Sequence, residues 1–175
     1  MTEPGLIQVY TGNGKGKTTA SLGLAFRAIG HGFAVLMIQF MKDNSSYGEA
    51  IAAPTLPGLT IISAGRNAFV DVRNPDPVDI QLAREGWEQA KQAITSRDHQ
   101  LVILDEINLV LAAKLIDTQE VAEFLLANRS CGVELVLTGR YAPPEILDIA
   151  DYVTEMKEIK HPLQQGVPSR QGIEY

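Results

Sequence analysis

The chain contains a single cysteine, Cys131. An intrachain disulfide is therefore ruled out, no Cys and His pair stands at zinc spacing, and Cys131 reads as a small residue near a turn. Cations are outnumbered, 15 Lys and Arg against 21 Asp and Glu, for a formal charge of −6. That balance argues against a nucleic-acid or anionic-membrane partner, because phosphate backbones and lipid headgroups are held by clustered Lys and Arg; any anion must be bound locally. Long apolar runs are missing too. None approaches the roughly 20 residues that span a bilayer, and Met1 to Gly5 lack the basic and apolar regions of a secretory signal, so a soluble, cytoplasmic protein is expected. No internal repeat or low-complexity stretch is present.

What remains is 175 residues, 45% of them hydrophobic, enough for one core and too few for two comfortable domains. Short β-prone runs alternate with longer amphipathic stretches, which predicts an α/β fold: a three-layer open, mostly parallel sheet with helices on both faces. The strand candidates are Leu6 to Tyr10, Val35 to Phe40, Leu59 to Ser63, Leu101 to Leu104, Val133 to Leu137 and Val153 to Met156. Several are almost wholly apolar, as parallel strands buried on both faces should be. Helices are expected over Lys17 to Ile29, Val78 to Ile94, Thr118 to Ala127 and Pro144 to Ala150. Gly30 and Gly32 end the first, and Asp117 with Glu120 opens the third. Lys42 to Gly58 and Gly65 to Pro77 read as long connections on a ligand-facing edge, and residues 160–175 as an irregular tail.

Directly after the first strand comes Thr11-Gly12-Asn13-Gly14-Lys15-Gly16-Lys17-Thr18-Thr19, and a helix starts at its end. A phosphate-binding loop needs this setting: glycines let the backbone turn its N–H groups inward, and the helix aims its positive end at the same anion. Lys17 adds a full charge, and the Thr18 hydroxyl is placed to ligate Mg²⁺. The pattern is a variant, since Thr11 stands where the first glycine of G-x-x-x-x-G-K-[ST] belongs. The bland alternative is a glycine-rich turn joining strand to helix, but alternating glycines followed by Lys-Thr-Thr at that point are rare by chance. For Lys15 a phosphate role and a solvated role stand even.

Further on, Leu101-Val102-Ile103-Leu104 runs into Asp105-Glu106, the arrangement in which a buried strand carries carboxylates to the metal end of a nucleotide site. Alone, such an ending could be a solvated turn; the phosphate loop is what raises it. His31, His99 and His161 share no spacing and read as surface or core residues. Trp87 stands at helical spacing with Ile80, Ala83 and Ile94 and reads as core. For Arg27 and Arg140 a nucleotide contact and a surface role both stay open. The residues thus predict an NTP-binding α/β domain and leave its reaction unchosen.

The run Tyr10 to Thr19 closely resembles the P-loop type of ATP:corrinoid adenosyltransferase. The resemblance continues through Arg27-Ala28-Ile29-Gly30-His31-Gly32, Gln39-Phe40-Met41-Lys42, Leu104-Asp105-Glu106, Thr138-Gly139-Arg140 and Ile146 to Asp151, and ends with Lys160-His161-Pro162 and Gln171 to Tyr175. It implies a P-loop NTPase fold of RecA-like layout. The activity implied is transfer of the 5′-deoxyadenosyl group of ATP to the Co(I) of a corrinoid such as cobalamin, cobinamide or cobyrinic acid diamide, with triphosphate leaving. It implies Mg²⁺, a homodimer, and a reductase or flavoprotein that supplies the electron. Carried over residue by residue, Gly12, Asn13, Gly14, Lys15, Gly16, Lys17, Thr18 and Thr19 embrace the triphosphate. Thr18 with Glu106 and Asp105 holds the metal, and Asn13 and Arg27 reach the nucleoside. Lys17, Thr18 and Glu106 are the residues expected to carry catalysis.

One departure stands at the corrinoid end. Where the family typically has Gly-Phe-x-Trp after the third strand, this chain reads Asn67-Ala68-Phe69-Val70, leaving Phe69 as the corrinoid-binding candidate. The paired aromatics of the family are associated with crowding out the lower axial ligand of cobalt. Two other readings follow from the same residues: a nucleotide-responsive binding module without corrinoid chemistry, and a small P-loop ATPase or kinase.

Overall fold

Six strands run parallel in a single sheet: β1 (Ile7–Thr11), β2 (Val35–Phe40), β3 (Leu59–Ala64), β4 (Leu101–Asp105), β5 (Glu134–Thr138) and β6 (Tyr152–Glu155). Their spatial order is β3-β2-β4-β5-β1-β6. This is a computed structural model, and it describes residues 5–43, 46–68 and 70–175. The register sets Gln39 beside Asp105 and also beside Ser63, and Tyr10 beside Thr138, so polar residues line up at the C-terminal ends of neighbouring strands. β2 and β4 are buried at every position. The near-continuous apolar runs read from the sequence are therefore central strands covered on both faces.

The pleat divides these strands between two cores. Leu36, Ile38, Phe40, Val102, Leu104, Leu135 and Leu137 face α3 (Pro77–Ser96), α4 (Ile107–Ala112), α5 (Thr118–Ala127) and α6 (Pro144–Ile149). Val35, Met37, Leu101, Ile103 and Val136 face the opposite side, covered by Leu22, Ala25 and Ala28 of α1 (Lys17–Gly30). Helices thus lie on both faces, as expected, but α1 is the principal cover of one of them. Trp87 is core, in keeping with its spacing: it is 1% exposed, meets Phe124 edge-on at 5.4 Å, and its Nε1 donates to Glu120 Oε1 at 2.9 Å.

Two helices lie where the chain carries no helical signal. One is α4, whose run Ile-Asn-Leu-Val-Leu-Ala is almost wholly buried and so shows no amphipathic period. The other is α2 (Gly48–Ala52), a five-residue turn inside the connection after β2. In the expected connection from Gly65 to Pro77, the described residues ahead of Pro77 form neither helix nor strand. The stretch ends in a capping box in which Asp76 and Asp79 satisfy each other's backbone at the start of α3. The tail has one short 3₁₀ turn, Pro162–Gln165. Among the described residues no helix is long and apolar enough to cross a membrane.

Candidate active site

The loop between β1 and α1 is shaped from two directions. Lys17, 7% exposed, donates from Nζ to the carbonyls of Gly12 (2.7 Å) and Gly14 (2.8 Å), so the loop curls around its own ammonium. Burial pushes the Lys17 pKa below its ordinary value, against the opposing pull of Glu106. From the other side comes the end of β6: Met156 N–H donates to Thr11 O (2.8 Å), and Gly14 N–H donates to Met156 O (2.6 Å). A Cβ on Gly12 would stand 2.5 Å from Met156 O and one on Gly14 2.6 Å from it. Gly14 is therefore required by the approach of β6, a reason that lies far downstream and outside any local motif, and at Gly12 the same approach adds to a left-handed φ of +94°. At Gly16 the reason is the backbone itself, a left-handed turn with φ of +118° that launches α1.

At the end of β4 the Asp105 carboxylate is completely buried and meets four donors. Thr18 Oγ1 (2.8 Å) and Thr138 Oγ1 (2.7 Å) donate to Oδ1, while Lys42 Nζ (2.7 Å) and Gln39 Nε2 (3.3 Å) donate to Oδ2. Four donors, one of them an ammonium, satisfy both oxygens of the buried side chain. Because β5 lies between β4 and β1, Thr138 spans the gap from Asp105 to the Glu106 backbone, whose N–H it accepts at 3.0 Å. Glu106 takes a left-handed φ of 65°, turning the chain from β4 into α4. Its carboxyl titrates above the ordinary value because it is buried and stands near Asp105.

Thr18, Asp105 and Glu106 thus converge as hard oxygen donors. No three His, Cys, Asp or Glu side chains cluster as a cage among the described residues. That donor set suits Mg²⁺, which keeps waters and substrate phosphates in its shell and is held by one or two carboxylates. Next to it opens a cavity of about 1030 Å³ at the C-terminal ends of β2 to β5, the side on which open parallel sheets bind ligands. Lys42, Tyr47, Arg66, Glu106, Arg140 and Tyr141 are among its walls. Lys42 and Glu106 belong to both places, and through them the cavity meets the Thr18 end of the loop.

The structure therefore brings Gly12, Gly14, Gly16, Lys17, Thr18, Asp105 and Glu106 into one neighbourhood. Asn13, Lys15 and Thr19 are exposed on the loop or the first turn of α1, and Lys15 Nζ donates to Ile173 O of the tail at 3.2 Å. Arg27 sits exposed in the last turn of α1, ten residues and hence a rise of about 15 Å from Lys17. Arg140 is exposed on the cavity wall. Phe69 lies outside the described residues; its neighbours Ala68 and Val70 line the cavity. Sequence reading assigns no role to Gln39, Lys42, Thr138, Asn108 or Met156. Asn108, completely buried in α4, donates to Gly139 O (3.3 Å) and so ties α4 to the end of β5. A signal is present for Gln39 and Lys42: a polar residue inside an otherwise apolar central strand, with a lysine three positions on.

An all-parallel sheet whose first strand feeds a glycine-rich loop, with a carboxylate pair two strands away, defines a P-loop nucleotide-binding protein of the α/β class. The model of the family ATP:corrinoid adenosyltransferase BtuR/CobO/CobP matches residues 3–175, and the chain belongs to that family. It is similar to a corrinoid adenosyltransferase of Sinorhizobium sp., 37% identical over 174 residues covering 99% of this chain and 81% of the relative. A corrinoid adenosyltransferase of Escherichia coli K12 is 36% identical, covering 99% of this chain and 87% of the relative. Another from Salmonella typhimurium LT2 is 34% identical over the same shares.

Proposed function

We propose that this protein transfers the 5′-deoxyadenosyl group of ATP to the Co(I) of a corrinoid. The observation that carries the reading is the meeting of the phosphate loop and the large cavity at Glu106 and Lys42. In the reaction the cobalt lone pair forms a bond to C5′, the C5′–O bond breaks, and triphosphate leaves with that electron pair. No side chain need act as nucleophile or base. The work left to the protein is to hold C5′ against cobalt and to neutralise the departing charge.

Gly12, Asn13, Gly14, Lys15, Gly16, Lys17, Thr18 and Thr19 are assigned to the triphosphate, with Lys17 moving from the loop carbonyls onto the leaving oxygens. Thr18, Glu106 and Asp105 would hold Mg²⁺, which supplies charge neutralisation at the triphosphate. The cavity is assigned to the corrinoid, whether cobalamin, cobinamide or cobyrinic acid diamide, with Phe69 as a contact on the strength of the sequence alone. Asn13 and Arg27 are assigned to the nucleoside, Arg27 lying near enough to Tyr10, at the start of the loop, to act on it electrostatically. The whole chain is read as one nucleotide-binding domain, acting in the cytoplasm as a homodimer served by a reductase or flavoprotein. The test is the phosphate product of an anaerobic reaction with reduced cobinamide, separated by ion chromatography. Triphosphate is expected. ADP as the stoichiometric product would instead support an ATPase or kinase.

A further inference from the structure

Among the described residues, Lys42 both touches the buried Asp105 carboxylate and lines the cavity. Its backbone is fixed: Met41 before it takes a left-handed φ of 58°, and the Ser63 hydroxyl donates to Lys42 O. Its head group is on a flexible four-carbon stem, 2.7 Å from Asp105 Oδ2 on one side and 5.2 Å from the centre of the Tyr47 ring on the other. Beside the pair, Gln39 Oε1 is a buried acceptor with no partner among the described residues, while the same side chain's Nε2 donates to both Asp105 and Glu49. An acceptor left over there suits a water carried in by a cation.

A divalent cation brought to Thr18 and Glu106 would stand a few ångströms from an ammonium already neutralising Asp105. Inside a buried site two such cations repel strongly. The stem can relieve this by swinging its head toward the cavity, where the Tyr47 face and the polar rim of a ligand can receive it. Thr18, Thr138 and Gln39 keep their hydrogen bonds to Asp105 throughout. We propose that Lys42 is a displaceable counter-ion of Asp105, which a divalent cation drives into the cavity, so that metal binding and corrinoid binding are coupled through this one side chain. The metal half needs only the donor set described; the corrinoid half rests on the function proposed above.

Mn²⁺ alone, titrated by electron paramagnetic resonance without nucleotide, tests the metal half. Lys42→Met should bind Mn²⁺ about tenfold or more tightly than the wild type, since no ammonium has to be moved. Lys42→Arg, which keeps the charge, should stay within a few-fold of the wild type. Equal or weaker binding by Lys42→Met would overturn the proposal. Should Lys42→Met fail to fold, Lys42→Gln keeps a neutral donor to Asp105, and the same titration on it decides. Equilibrium dialysis of Co(II) cobinamide, with and without Mn²⁺, tests the coupling. The ratio of the two affinities should depart from unity in the wild type and return toward it in Lys42→Met; an unchanged ratio would refute coupling. Were cobinamide not to bind the wild type at all, the functional reading would fail, and the Mn²⁺ comparison would still decide the counter-ion.

Discussion

Replacing Gly14 by Ala separates two reasons for a glycine in this loop. Gly14 does not occupy the left-handed region, so alanine meets no backbone strain there and only space matters. Its Cβ would lie 2.6 Å from Met156 O and 2.9 Å from Lys157 C. Both are main-chain atoms that cannot rotate aside, so the loop and the end of β6 must part. Overpacking of this kind costs about 1–3 kcal/mol. The stretched bond from Gly14 N–H to Met156 O adds about 1 kcal/mol. At about 2–4 °C per kcal/mol for a chain of this length, the ligand-free melting temperature should fall by roughly 5–15 °C. Gly23→Ala is the control. It lies within α1, where an added Cβ would have nothing within 4 Å, and should stabilise by about 0.5–1 kcal/mol. Thermal melts by circular dichroism with and without ATP distinguish the cases. If Gly14 served phosphate binding alone, the variant would melt like the wild type without ATP and lose only the rise that ATP produces; that result would refute the steric account.

Other outcomes follow from the same contacts. Asp105→Asn leaves the Lys42 ammonium facing an amide and should destabilise by about 3–5 kcal/mol, measured by urea unfolding; a loss under about 1 kcal/mol would contradict the network. The Arg66 guanidinium holds the Asp79 carboxyl below the usual range. Its contribution is therefore full above the unfolded value of about 3.9 and lost as the pH falls through the depressed one. Asp79→Asn should accordingly lower stability near pH 7 and progressively less as the pH falls below about 3.9, and a loss that does not change with pH would show that the ion pair is not the cause. Lys17→Ala should slow transfer by about 10²- to 10³-fold, an effect that single-turnover kinetics would expose as absent if Lys17 does not stabilise the leaving group. Glu106→Gln should raise the Mg²⁺ concentration needed for half-maximal rate while leaving corrinoid affinity unchanged; identical Mg²⁺ titrations would exclude the metal role.

Much of the site is legible in the chain because its carriers are local. Gly16-Lys17-Thr18 after a strand, and a buried run ending in Asp105-Glu106, state their chemistry over a few residues. The strands can be read to within a residue or so because burial on both faces leaves an unbroken apolar run. α4 escapes for the same reason: buried nearly all round, it has no polar face to set a period. Met156 on the loop, Thr138 bridging two strand ends and Lys42 on Asp105 are hidden for another reason. Each depends on strand order, which places residues 32 to 145 positions apart in contact, and no spacing rule reaches so far. The loop motif marks its glycines as necessary, but at Gly12 and Gly14 the crowding group is the backbone of Met156, which the motif does not contain.

The central claim is that the carbon of ATP, and not its γ-phosphate, is what moves. Anaerobic incubation with ATP, Mg²⁺ and chemically reduced cobalamin or cobinamide, followed by the loss of Co(I) absorbance and by chromatography of the corrinoid, tests it most directly. A light-sensitive 5′-deoxyadenosylcorrinoid, formed in step with triphosphate, is the expected product. Unaltered corrinoid from a protein that still binds ATP would contradict the claim and leave a nucleotide-binding module in its place.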